Sequence, residues 1–316
     1  MRRSDPGIQL KMWTTPPSEE VINVASVPQR SPFRYPGGKT WLVPRIRQWL
    51  RSLGQRPSVL IEPFAGGGIV GLTAGFEALA DHVVFVELDQ QVAAVWQTIL
   101  GGEAAWLADR ILSFEMTLDH ARAVLAAKAG NTREQAFQTI LKNRTFHGGI
   151  LAPGATFIKH GENGKGLQSR WYAETLARRI EAIGQLRDRF TVICGDGIEA
   201  MLEHASQQRA VFFVDPPYTA GGANGKRAGT RLYVHHELDH ERLFATAEQV
   251  AGDVLLTYDD APEVRKLAAR HAFAVESVAM KNTHHAKMTE LLIGRSLSWL
   301  HEAPRFQGQS QFIKTY

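Results

Sequence analysis

Residues 58–87 carry a strand, a glycine turn, a helix and a second strand in immediate succession. Ser58-Val59-Leu60-Ile61 is a short apolar run, and Glu62-Pro63-Phe64-Ala65-Gly66-Gly67-Gly68 follows it as a turn. Ile69, Leu72, Phe76 and Leu79 then recur at helical spacing. A second apolar run, His82-Val83-Val84-Phe85-Val86, ends in Glu87, about twenty residues beyond the turn. A buried strand that feeds a helix and returns as another strand is the repeating unit of a parallel sheet covered by helices. Glycines in the turn permit positive φ and let the backbone approach a ligand, because no Cβ intervenes. A carboxylate ending the second strand can accept both hydroxyls of a ribose.

An adenosine-containing ligand therefore suits this unit, and both dinucleotides and S-adenosylmethionine carry that ribose. A second constellation lies at Asp215-Pro216-Pro217-Tyr218, directly after the apolar run Val211-Phe212-Phe213-Val214. Each proline fixes φ and removes a backbone donor, so the strand stops in a stiff turn with free carbonyls. A carboxylate, a carbonyl and an aromatic ring then project beyond the strand's carboxyl end, where open α/β sheets bind ligands. Such a trio can accept hydrogen bonds from an exocyclic amine and stack on a flat base. A strand-ending turn without a ligand is the plain alternative.

Together these motifs resemble the adenine-specific DNA methyltransferases of the alpha arrangement, with the cofactor turn first, a target-recognition segment next and Asp-Pro-Pro-Tyr last. Phe33-Arg34-Tyr35-Pro36-Gly37-Gly38-Lys39 is similar to that family's amino-terminal cofactor segment. Asn143-Arg144-Thr145-Phe146-His147-Gly148-Gly149, Gly195-Asp196 and Thr257-Tyr258-Asp259-Asp260 match further segments, so the resemblance runs from about residue 32 to residue 295. It implies a Rossmann-like S-adenosylmethionine-dependent methyltransferase sheet with an inserted, mainly helical target-recognition module. The catalytic residues it implies are Asp215, Pro216 and Tyr218, with the Asp215 carboxylate and the Pro216 carbonyl accepting the hydrogens of an adenine N6. For the cofactor it implies Tyr35, Lys39, Phe64, Ala65, Gly66, Glu87, Asp196 and Asp215, with Glu87 standing where close relatives are expected to carry aspartate. For the substrate it implies Lys142, Asn143, Arg144 and Tyr218, the last stacking on a flipped base. Helix start, phosphate contact and structural networks are ordinary alternatives for Asp196, Lys39, Asn143 and Arg144. N4-cytosine methylation and a catalytically inactive DNA-binding relative remain open.

Composition agrees with a globular enzyme and adds a partner. Across 316 residues, 44% hydrophobic and 22% charged content is ordinary for a globular chain. The net charge is only +4, but seven Lys or Arg and no acid lie between Val21 and Ile61. Between Lys142 and Arg189, nine basic residues face four acidic ones, while 81–134 is mostly acidic. Such separation suits one face meeting a polyanion, here double-stranded DNA. No apolar stretch is long enough to span a membrane, and the amino terminus lacks a signal-peptide core. The single Cys194 points to the cytoplasm, with nucleoid association through DNA, and is expected to pack as a small buried hydrophobe. No metal is expected, since adjacent histidines such as His235-His236 and His284-His285 point apart. A monomer or weak dimer is expected, and a cognate restriction endonuclease acting separately is a partner the resemblance allows.

Strands are further expected at Thr191–Cys194, Val254–Thr257, Phe273–Val278 and Glu290–Ile293, in a mostly parallel sheet. The expected division is a flexible arm over 1–30, a catalytic domain over 31–100 and 189–300, an inserted helical module over 101–188, and a tail over 301–316.

Overall fold

The computed structural model describes residues 27–34, 38–152, 154–158, 164, 166–217, 238–281 and 287–302. Tyr35, Tyr218 and the paired histidines lie outside them. Among the described residues, seven strands form one sheet in the order β3-β2-β1-β4-β5-β7-β6. They are β1 (Val59–Glu62), β2 (His82–Glu87), β3 (Phe190–Cys194), β4 (Ala210–Val214), β5 (Asp253–Asp259), β6 (Ala274–Lys281) and β7 (Lys287–Gly294). The first five pair in parallel, whereas β7 inserts between β5 and β6 antiparallel to both. The segment joining β6 to β7, residues 282–286, is shorter than the dozen or so residues a parallel crossover needs. Strand order reverses between β1 and β4, which makes their carboxyl ends the switch point of the sheet.

Alternation along the strands divides the apolar interior in two. Leu60, Val83, Phe85, Val211, Phe213 and Leu255 face one way. Ile61, Val84, Val86, Phe212, Val214 and Leu256 face the other. Burial on both faces is why β4 reads as an unbroken apolar run. The first face is covered by α1 (Val43–Ser52), α2 (Ile69–Phe76) and α3 (Gln90–Thr98). In α1, Pro44 occupies the first turn, where its missing N–H costs nothing, and Val43, Ile46, Trp49 and Leu50 form the buried stripe. The second face is covered by α8 (Gly197–Glu203), α9 (His240–Gln249) and α10 (Pro262–Arg270).

Between β2 and β3 the described residues include α3, α4 (Ala104–Leu112), α5 (Leu118–Ala126), α6 (Thr132–Thr145) and α7 (Ala173–Gly184). A π-helical turn over Ile99–Glu103 joins α3 to α4, and Gly102 at φ 100° supplies the kink there. Thr117 and Asn131 cap α5 and α6 by accepting from backbone N–H groups three residues on. Leu107, Ile111, Ile140, Leu176 and Ile180 join Val95, Trp96 and Ile99 in the same apolar cluster as the sheet. The helices of 101–188 thus pack continuously on the strand-bearing part.

One expectation meets a different outcome here, and of the expected arm only residues 27–30 are described. Cys194 is exposed rather than buried, because it ends β3, and β3 is an edge strand with a half-open outer face. At the end of the expected flexible arm, Val27 is buried in the core and Arg30 pairs with Glu77 at 3.0 Å. Among the described residues, no helix is long and apolar enough to cross a membrane.

Candidate active site

The turn after β1 is fastened to β2 by hydrogen bonds that its sequence makes possible. Ala65 N–H donates to the Val86 carbonyl at 2.9 Å, and Gly66 N–H to the Glu87 carboxylate at 2.8 Å. The indole of Trp96 donates to the Gly66 carbonyl at 3.0 Å. Gly68 has φ 62°, and a Cβ there would meet Phe85 and Trp96 at 3.0 Å. Gly71 lies one helical turn on, where a Cβ would come within 2.3 Å of the Phe85 ring. These two glycines let the start of α2 pack closely against Phe85 and Trp96.

Glu87 ends β2 beside that turn. Its second oxygen accepts from Asp89 N–H at 2.9 Å, so the carboxylate is oriented from both sides. Each carboxylate oxygen has a further lone pair, so two held N–H groups leave acceptor capacity for hydroxyls. Burial pushes its carboxyl up to about 7, partly offset by the Asp89 and Gly66 N–H groups. A raised folded value means the folded state holds a proton that the unfolded chain has released. Stability from this group therefore falls as pH rises from the ordinary carboxylate range to about 7, and is level above. Between pH 5 and 7 the melting temperature of the native chain is expected to decline relative to Glu87→Gln; parallel curves would contradict this assignment.

At the end of β4, Asp215 is anchored through one oxygen. Its Oδ1 accepts from the Thr257 hydroxyl at 2.8 Å and stands 2.9 Å from Lys39 Nζ. Lys39 Nζ is also 2.9 Å from Glu290 Oε1. Lys39 and Glu290 are 3% and 2% exposed. Burial disfavours the Lys39 ammonium, but Asp215 and Glu290 outweigh that cost and hold it above its ordinary value. Glu62, ending β1, accepts through Oε2 from Gly71 N–H at 2.8 Å. Burial raises the Glu62 carboxyl well above the usual range; the Gly71 N–H opposes this, while the charges of Asp215 and Glu87 add to it. Beside them the buried Tyr258 hydroxyl meets His240 Nδ1 at 2.9 Å. Acidic side chains from β1, β2, the end of β4 and β7 thus collect along the carboxyl edge of the parallel strands, and two of them, Asp215 and Glu290, flank the Lys39 ammonium. Glu62, Thr257 and Glu290 have roles the motifs did not single out. The antiparallel direction of β7, which pairs Glu290 with Asp259, is what brings Glu290 to that edge.

The other expected site residues divide into those gathered here and those elsewhere. Lys39, Phe64, Ala65, Gly66, Glu87, Asp215 and Pro216 lie on the strand-end face. Asp196 follows β3, where Gly195 N–H donates to the Glu87 carbonyl at 3.1 Å. Its own carboxylate caps α8 through Ile198 and Glu199 N–H groups at 2.8 and 3.1 Å. Asn143 and Arg144 are 1% and 5% exposed, inside the protein rather than on a face that a duplex could reach. Asn143 Oδ1 accepts from Arg34 N–H at 2.8 Å, and Nδ2 donates to the Arg34 and Gly149 carbonyls at 2.9 and 2.8 Å. Arg144 donates to the Pro32 carbonyl. In this geometry they brace residues 32–34, which lead into the Lys39 segment. Lys142 Nζ donates to the Leu151 carbonyl at 2.6 Å, beside a cavity of about 170 Å³ lined by Gln91, Leu125, Gln135, Gln138 and Phe146.

Asn143→Ala is expected to strand three backbone groups and to cost about 2 kcal/mol or more. Thermal melting checks this: a lower midpoint with unchanged DNA sequence preference is the expected pair. An unchanged midpoint with altered preference would reinstate direct readout.

Comparison with known proteins follows the same segments. Residues 35–118 match the family model of the D12 class N6 adenine-specific DNA methyltransferases. A curated relative, the DNA N-6-adenine-methyltransferase of Escherichia phage P1, is 27% identical over 289 residues, covering 85% of this chain and 35% of that protein. The chain therefore spans about a third of the length of that relative. Among solved structures, a protein of Pyrococcus horikoshii proposed to be an RNA methyltransferase is 13% identical at a TM-score of 0.39, covering 86% of this chain and 92% of that one. An S-adenosylmethionine-dependent methyltransferase of Agrobacterium tumefaciens is 11% identical at a TM-score of 0.38, covering 81% and 60%. The resemblance of this chain to the adenine-specific DNA methyltransferases is thus carried by sequence, through its motifs, the family match and the phage relative.

Proposed function

We propose that this chain methylates the exocyclic N6 of adenine in a specific double-stranded DNA sequence, with the base turned out of the duplex. The observation that carries this reading is the pairing of β1 with β4, Ile61 opposite Phe212, across the point where strand order reverses. That pairing sets the glycine turn beside Asp215-Pro216, so a nucleoside ligand on the turn and an amine at Asp215 would be neighbours.

The residues present fit S-adenosylmethionine: a glycine turn held against β2, beside a buried Glu87 whose side chain the Gly66 and Asp89 N–H groups orient. When bound, it supplies a methyl group whose carbon–sulfur bond breaks as the carbon–nitrogen bond forms, the electron pair staying on sulfur. Glu87 would hold the ribose hydroxyls, and the 64–66 backbone would follow the ligand's chain. Asp215 and the Pro216 carbonyl would accept the two N6 hydrogens, localising a lone pair that the purine ring otherwise withdraws. Because Thr257 and Lys39 already fix the Asp215 carboxylate, little reorganisation is needed as positive charge develops on nitrogen. One N6 proton then leaves to water or a neighbouring carboxylate. We assign Tyr218, outside the described residues, to stack on the flipped base. The helices of 101–188 and their basic residues are the part we assign to the duplex, Lys142 among them.

Two measurements test the reading together. S-adenosylmethionine at saturation should raise the melting temperature by mass action. Long-read sequencing of DNA from cells expressing the chain should show N6-methyladenine at one recurring motif. No thermal shift and no modified base would overturn the reading; N4-methylcytosine instead would reassign the base.

A further inference from the structure

The Lys39 ammonium sits between two carboxylates, and only one of them belongs to the proposed catalytic turn. Glu290 approaches Nζ at the same 2.9 Å as Asp215, from β7 on the far side of β5. It is 2% exposed, so its charge is little screened by water. From these contacts we infer that Glu290 is a positioning residue for methyl transfer: it holds Lys39 in place and shares its charge, so that Asp215 stays fixed yet electron-rich toward the target amine. The inference rests on the reading of Asp215 as the amine acceptor.

The argument is one of charge and direction. An ammonium has three donors on one rotatable stem, and a single partner would leave Nζ free to swing. Two carboxylates on opposite strands define its place, and Lys39 with Thr257 then defines the plane of Asp215 through Oδ1. Lys39, Asp215 and Glu290 together carry one net negative charge. Positive charge developing on the target nitrogen meets that excess. With Glu290 neutral, the ammonium would be balanced by Asp215 alone, and no excess would face the charge developing on the target nitrogen. Glu62 and Asp259 also face this cluster, the former engaged by Gly71 N–H and the latter paired across the sheet with Glu290.

Glu290→Gln keeps size and one acceptor while removing the charge. Single-turnover methylation of a duplex should slow on the order of tenfold or more, with the dissociation constant for S-adenosylmethionine within threefold of the native chain. In a Lys39→Met background the same change should cost no further rate, because it acts through the ammonium. A Glu290→Gln rate within twofold of native, equal loss of cofactor affinity and rate, or multiplicative losses in the double variant would overturn the inference. Should Glu290→Gln not fold, Glu290→Asp keeps the charge and moves the anchor; a severalfold slower rate at native affinity is expected, and a native rate would overturn it. A native chain without methyl transfer would instead refute the functional reading itself.

Discussion

Asp215→Asn is expected to reduce the single-turnover rate of methyl transfer on the order of 10²–10³-fold, the scale of losing one preorganised transition-state contact. That corresponds to about 3–4 kcal/mol of barrier. The amide preserves an oxygen for the Thr257 hydroxyl and Lys39, so the local fold should persist. What changes is the other end: an N–H₂ replaces an acceptor, and the charge facing the developing ammonium is gone. Binding of S-adenosylmethionine, read by calorimetry, should change far less than the rate. A rate within tenfold of native would remove Asp215 from the chemistry.

Lys39→Met is expected to show the largest loss of stability. It leaves two carboxylates facing each other without the ion between them, one of them buried at 2% exposure. Breaking a buried pair from one side costs about 3–5 kcal/mol. At roughly 2–4 °C per kcal/mol for a chain of this size class, the midpoint should fall by about 10 °C. In the native chain the ammonium is held above its ordinary value, so its contribution is complete across the neutral range and fades only as alkaline pH deprotonates it. An unchanged midpoint would mean that the cluster holds no such charge balance.

Much of this architecture is written locally. Val59–Glu62, the glycine turn and α2 form one contiguous pattern, and Asp215-Pro216 announces its own strand end. Glu87 was legible because the distance from turn to acid is fixed by one helix and one strand. Glu290 was not, since an acid inside an apolar run looks like the solvent face of a strand, and only the antiparallel insertion of β7 turns it inward. Lys39 was singled out with the amino-terminal segment, but its ion pairs come from strands far along the chain, which no local pattern reports. Asn143 and Arg144 have the chemistry of base readers, yet residues 32–34 cover the end of α6, and nothing in the local pattern reports that. Cys194 ends an apolar run, and whether such a residue is covered depends on the strand's place in the sheet.

The central claim is the identity of the modified atom. Purified protein, incubated with methyl-labelled S-adenosylmethionine and unmethylated duplex DNA, can be assayed by digesting the DNA to nucleosides and resolving them by mass spectrometry. The account predicts label in N6-methyldeoxyadenosine, absent with Asp215→Asn. Label in N4-methyldeoxycytidine, or none in any nucleoside despite cofactor binding, would contradict it.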